Sequence, residues 1–200
     1  MKRYAMRASR DASIPRRTVG VRSRRLTRRE ATMGLDARVR CRCFEDGRLQ
    51  PGPVPVTDLY IDEDGYLASR TLDTASIRYD WRRYHARYGK LDEEFTLWLE
   101  DCCEHENGEY CSEWIGTWGM YGVFQDAVEE AGGKEVLPLL GHMLPTANGG
   151  QYPVEKTEAT LVEVEQFIRI TRDECARGMA CSLQRLLLAS LETRNPILWC

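Results

Sequence analysis

Apolar residues recur at helical spacing through the middle of the chain. Leu91, Phe95, Trp98, Leu99, Cys102 and Cys103 stand at i, i+4, i+7, i+8, i+11 and i+12, with Asp92, Glu93, Glu94, Glu100 and Asp101 on the remaining arc. Since 3.6 residues make a turn, this spacing lines one face and predicts an amphipathic helix over 91–104 with Trp98 buried. A second face follows from Thr117, where Met120, Phe124, Ala127, Val128 and Ala131 align and Gly132-Gly133 suits a left-handed stop. That predicts a helix over 117–131 with Phe124 buried. These two helices, either side of a short loop carrying Trp114, are expected to form the centre of the fold. Further on, Pro153 suits a first helical turn, and Val154, Leu161, Val164 and Ile168 share a face while Glu155, Glu158 and Glu163 point away. A third helix is expected over 153–170.

Alternation by two marks strands instead. Ala37, Val39, Cys41 and Cys43 alternate with Arg38, Arg40 and Arg42, so a half-buried strand is expected over 37–43. After a Pro- and Gly-rich connection, strands near 58–62 and 66–70 flank Asp62-Glu63-Asp64-Gly65, whose Asp-Gly pair suits a tight hairpin. Over 78–90, Trp81, Tyr84 and Tyr88 fall on one helical face among arginines, which describes a short helix with its aromatics in the core. The C-terminal CSLQRLLLASL fits helix or strand. With the turn at Glu192–Pro196 and the strand-like Ile197-Leu198-Trp199 it reads as strand, turn, strand. The sum is an α+β fold: one domain over 33–200 with an antiparallel sheet covered by about three amphipathic helices.

Charge divides the chain. Residues 1–30 hold 11 of the 28 basic residues and only Asp11 and Glu30 of the 31 acidic ones, leaving 17 basic and 29 acidic groups, a net of −12, in residues 31–200. Residues 1–32 lack apolar periodicity and read as a disordered basic leader ahead of a natural start at Met33; a nucleic-acid arm or an Arg-rich transit peptide are the alternatives. The acidic body argues against nucleic acid and anionic membrane and in favour of a basic partner. No apolar run reaches the ~18 residues of a membrane span, and no secretory signal is present, so a cytoplasmic protein with reduced cysteines is expected.

The candidate chemistry lies in those cysteines. Cys41 and Cys43 from the first strand, with Cys102 and His105 one helical turn apart, make a possible closed zinc site, and Cys103 or Cys111 are substitutes. The competing account makes the thiols core residues with no cofactor, because Cys is among the most buried residue types. Cys111 or Cys103 beside His105 is the available nucleophile and base, without an orienting group to complete a catalytic set. No phosphate-binding or dinucleotide glycine motif is present.

From MGLDARVRCRCFEDG through LEDCCEH and LPTANGG to SLETRNPILW, the chain resembles an uncharacterised family of bacterial hypothetical proteins with a Met-Gly-Leu-Asp opening and a Cys-x-Cys-Phe strand. The resemblance covers 33–200 and implies a bacterial cytoplasmic protein starting near Met33. It carries no activity and no catalytic residue. The function expected from charge and composition is therefore binding of a basic macromolecule, as an immunity protein does, through Glu93, Glu100, Asp101 and Glu104 on the outer arc of the central helix together with Trp114. The alternative is a Cys/His zinc protein or a thiol-dependent enzyme or sensor.

Overall fold

The computed structural model describes residues 34–145 and 149–200, so the leader expected over 1–32 lies outside the described residues. Strand β1 (Gly34–Arg40) buries Leu35, Ala37 and Val39 on one face, as its alternation requires. It ends at Arg40, before Cys41, and residues 42–47 form a turn instead of the strand expected to 43. The connection continues to the hairpin β2 (Leu59–Ile61) and β3 (Leu67–Ser69), which closes through Gly65 at φ 86°. Contrary to expectation this hairpin is a separate two-stranded sheet and does not extend the main one. Ser69 then caps α1 (Arg70–Arg78) by accepting from the Leu72 N–H.

Helix α2 (Trp81–Glu100) starts at Asp80, whose carboxylate accepts from the Arg83 N–H, and merges the two helices expected over 78–90 and 91–104. It stops at Glu100, four residues early. Only Phe95 is buried; Trp98 is half-buried rather than central, and Trp81, expected in the core, is 73% exposed. The stretch expected as a loop forms β4 (Glu109–Thr117), and Trp114 stands on this strand. Asn107 and Gly108, both left-handed at φ 54° and 67°, make the tight turn that launches it. Strand β4 then covers the free edge of β1, with Arg40 opposite Glu109 and Ala37 opposite Glu113.

Thr117 caps α3 (Trp118–Glu130), which buries Phe124, Ala127 and Val128 as expected. Gly132 and Gly133 follow at positive φ and stop it, leading into the short α4 (Gly133–Val136). Strand β5 (Gln151–Tyr152) leads into α5 (Val154–Ile170), with Pro153 just outside the first turn. Glu163 does not face away: its carboxylate accepts from the Leu139 and Leu140 N–H groups.

The largest departure is α6 (Glu174–Thr193), a helix where strand, turn, strand was expected. The apolar positions Met179, Ala180, Leu183, Leu186 and Leu187 keep a 3–4 residue period that begins upstream of Cys181, and Asp173 caps it through the Ala176 N–H. Arg194 in the left-handed region ends it, and β6 (Ile197–Trp199) follows as expected. The sheet order is β4-β1-β6-β5, antiparallel throughout. Helix α6 packs on one sheet face, and α3 and α5 pack against α6, with Phe124 edge-to-face on Phe167 at 5.4 Å. The hairpin lies on the other face, where Leu198 meets the backbone of Gly65. The expected α+β class with an antiparallel sheet holds. Among the described residues no helix is long and apolar enough to cross a membrane.

Candidate metal centre

The β1–β4 register creates a second, smaller core. With Arg40 opposite Glu109, the residues just after β1 lie beside those just before β4, and the Cys41 N–H donates to the Gly108 carbonyl at 2.8 Å. The Gln50 N–H to the Cys102 carbonyl, also 2.8 Å, ties the same two loops at their far ends. Between these ties sit Cys41, Cys43, Cys102 and Cys103, all buried, with Leu49 and Trp98 packed against them.

Three of the sulfurs and one imidazole converge. The ligand atoms of Cys41, Cys43, Cys103 and His105 all lie within 4.8 Å of one another. Cys41 Sγ is 3.7 Å from Cys103 Sγ, and His105 Nδ1 is 3.3 Å from Cys43 Sγ and 4.0 Å from Cys103 Sγ. A tetrahedral zinc with bonds of about 2.3 Å to sulfur and about 2.0 Å to nitrogen has edges of about 3.8 Å between sulfurs and about 3.6 Å from sulfur to nitrogen. The 3.7 Å sulfur pair lies close to the first of those edges, and the 3.3 and 4.0 Å contacts to His105 fall either side of the second. The cluster can hold one metal ion, and its donors are soft sulfur and imidazole nitrogen with no carboxylate among them.

Cys102, expected as the third thiolate, is replaced by Cys103. The expectation assumed a helix through 104, which would set 102 and 105 on one face. The helix ends at Glu100, and the following chain is bent, with His105 extended at φ −103°, ψ 127°. The helical relation of 102 to 105 is thereby lost, and Cys103 joins His105 in the donor set while Cys102 stays buried beside it. Cys111 lies on β4 outside the cluster.

Burial governs the thiols. It pushes Cys41 up, and it pushes Cys43 up to about 12, where bonds from the Cys41 and Cys103 sulfurs add to the effect. Cys102 is also pushed up to about 12, by burial first and then by neighbouring Cys103. A dication arriving at the cluster must therefore expel thiol protons. Outside the ligands, Asn195 donates from Nδ2 to the Arg40 and Cys41 carbonyls at 2.9 and 3.2 Å and so holds the chain at its entry to the first ligand. The His105 ring packs against Tyr110 at 5.6 Å. None of the eight cysteines forms a disulfide.

The expected acidic set is only partly assembled. Glu93, Glu100 and Asp101 are exposed along α2 and at its C-terminal end, but Glu104 is paired with Arg48. Trp114, 53% exposed, stands apart from them in sequence on β4. Sequence reasoning missed Arg38, a half-buried base on an inner strand that bonds Glu109 at 2.6 Å and lies 4.3 Å from the centre of the Tyr66 ring. Its flanking by buried Ala37 and Val39 was the available signal. No protein-family model, curated protein or solved structure matches this chain, so the site is described by its geometry.

Proposed function

We propose that this is a zinc protein in which Cys41, Cys43, Cys103 and His105 bind one ion, and that the ion serves architecture and recognition, not turnover. The convergence of four soft donors from two loops within 4.8 Å carries this proposal. Four protein ligands fill a tetrahedral zinc and leave no position for an activated water, which is the arrangement of structural sites. The ion would lock the loop after β1 to the loop before β4. Metal analysis of the purified full chain should give one zinc per chain, and cobalt substitution should give the visible absorption of a tetrahedral thiolate site. Cys43→Ser and His105→Ala should lose both signals while Cys102→Ala keeps them. A metal-free, folded wild type, or a signal that depends on Cys102 and not on Cys103, would overturn the assignment.

A basic partner is the second reading, and one observation favours it. Helix α2 has no base in its last turn and ends in exposed Glu100 and Asp101, where negative charge opposes the helix dipole. A cationic surface docked there would relieve that repulsion. Reversing Glu93, Glu100 and Asp101 together should slow association with such a partner and flatten its salt dependence without unfolding the protein.

A further inference from the structure

Helix α2 carries the unfavourable charge at both ends. Its first turn holds Arg82 and Arg83 and no acid, and its last turn holds Glu100 and no base, with Asp101 following. The helix dipole is positive at the N-terminus and negative at the C-terminus, so each end is repelled by its own side chains. Local pairing does little to relieve this. Among the described residues the ion pairs on α2 are Arg83 with Asp80 and Lys90 with Glu94, both at 3.5 Å and exposed, which leaves Arg82, Glu93 and Glu100 without one.

The outward face of the helix is divided in the same way. At 3.6 residues per turn, Arg82, Ala86, Lys90, Glu93, Leu97 and Glu100 fall within an arc of about 80°, and all six are exposed. The bases stand in its first half and the acids in its second; Ala86 is the small residue of the first and Leu97, 59% exposed, the large apolar one of the second. We infer that this face joins two copies of the chain, with α2 lying antiparallel on α2 of a second copy about a two-fold axis between positions 91 and 92. That register sets Arg82 opposite Glu100, Ala86 opposite Leu97 and Lys90 opposite Glu93, and the symmetry makes each pair twice. Every base on the seam meets an acid, and each repelled helix end meets the opposite end of its mate. A parallel pair would set base on base and acid on acid. Leu97 gains an apolar neighbour in Ala86, whose small side chain lets the two ridges close up. The inference rests on the reading of the acidic end of α2 as a docking surface for a cation, and it names the cation as the first half of the same helix in a second copy. One pair of 20-residue helices is only about 30 Å long and its charge pairs stay near solvent, so the dimer is weak and salt-sensitive.

Sedimentation of the full chain tests this. A monomer–dimer equilibrium is expected, with a dissociation constant that rises at least tenfold between about 0.01 and 1 M salt, as the screening length falls from about 30 to 3 Å. Arg82→Glu with Lys90→Glu makes the face wholly acidic, and Glu93→Lys with Glu100→Lys makes it wholly basic. Each double variant alone should be monomeric and melt no lower than the wild-type monomer, and mixing the two should restore a dimer with one copy of each. If either variant does not fold, Ala86→Trp, which thickens the seam without changing its charge, should weaken the dimer at least tenfold. A wild type that stays monomeric at every concentration, or a dimer that survives the Arg82 and Lys90 reversal, would overturn the inference. If such a monomer still binds an oligolysine peptide through Glu93 and Glu100, self-pairing falls and the basic-partner reading stands. If it ignores the peptide as well, both fall.

Discussion

Helices α2 and α6 are both 20 residues long, yet α6 buries ten residues and α2 buries one. Helix α6 has the sheet on one side and α3 and α5 on the other, so most of its apolar side chains are buried and Leu188 is the large one left exposed. Each fully buried leucine there is worth about 1.5–3 kcal/mol of transfer free energy. Helix α2 borders a small apolar cluster of Val54, Leu59, Leu72 and Phe95 and, at its end, the four cysteines. That corner has little area to bury. Backbone ties between its two loops and the Arg48 to Glu104 ion pair join it instead, and the convergent donor set lies between those ties. One protein thus uses two means of cohesion: area where the elements are large, and directional bonds where they are short. The first is non-directional and tolerant of exchange, whereas the second depends on a few atoms in place.

The sharpest way to break this contrast is to cut each side in turn. Leu186→Ala, at a fully buried position on α6, should cost about 3–5 kcal/mol in chemical denaturation, with or without zinc. A cost below about 1 kcal/mol would remove α6 from the centre. Chelation should act on the other side only. With free zinc at a hundredfold its dissociation constant, a bound ion would contribute about 2.7 kcal/mol, and its removal should raise hydrogen exchange in residues 41–50 and 101–108 while α6 stays protected. Uniform deprotection of both regions would mean that the corner and the core are one cooperative unit.

Two smaller effects refine the comparison. Trp98 joins the two clusters beside α2, and its Nε1 is buried without a partner among the described residues. Trp98→Phe removes area and an unsatisfied donor together, so melting should change by no more than about 1 kcal/mol, whereas Trp98→Ala should cost several times as much. The smallest effect concerns the outer tie of the main core. Arg185 on α6 grips Glu113 on β4 through Nε and Nη2 at 2.5 and 2.7 Å, and this bond holds the Glu113 carboxyl below its ordinary value of 4.5. A depressed carboxylate stabilises the folded state above the unfolded value and loses that contribution as pH falls through 4.5 toward the folded one. Arg185 is more than half exposed, so the gain is below about 1 kcal/mol. Glu113→Gln should flatten acid unfolding over that window by no more than this; a larger change would move weight from buried area to ion pairing.

How much of this the chain itself announces can be read element by element. Local periodicity identified α3 with its Gly132-Gly133 stop, α5, the Asp-Gly hairpin and the alternating face of β1, because each is dictated by neighbours within a few residues. It also named Cys41, Cys43 and His105 as metal donors and Cys103 as a substitute. Periodicity records which face is apolar but not what will cover it. That is why α2, with its clean stripe, was expected at the centre that α6 occupies. The stretch that became β4 was expected as a loop, although Asn107-Gly108 offered a turn signal ahead of it, and only pairing with β1 gave that strand its edge to bind.

The sequence by itself therefore determined the α+β class, the acidic body and the presence of soft donors. Tertiary structure alone decided the rest. The register of β1 on β4 brings residues 62 apart in the chain into bonding distance, and the early end of α2 selects Cys103 over Cys102. A cavity beside Arg38 exists only because the hairpin folds over the sheet face that this residue shares. A non-local contact draws its energy from surfaces that meet only after folding, so no short window of residues can contain it.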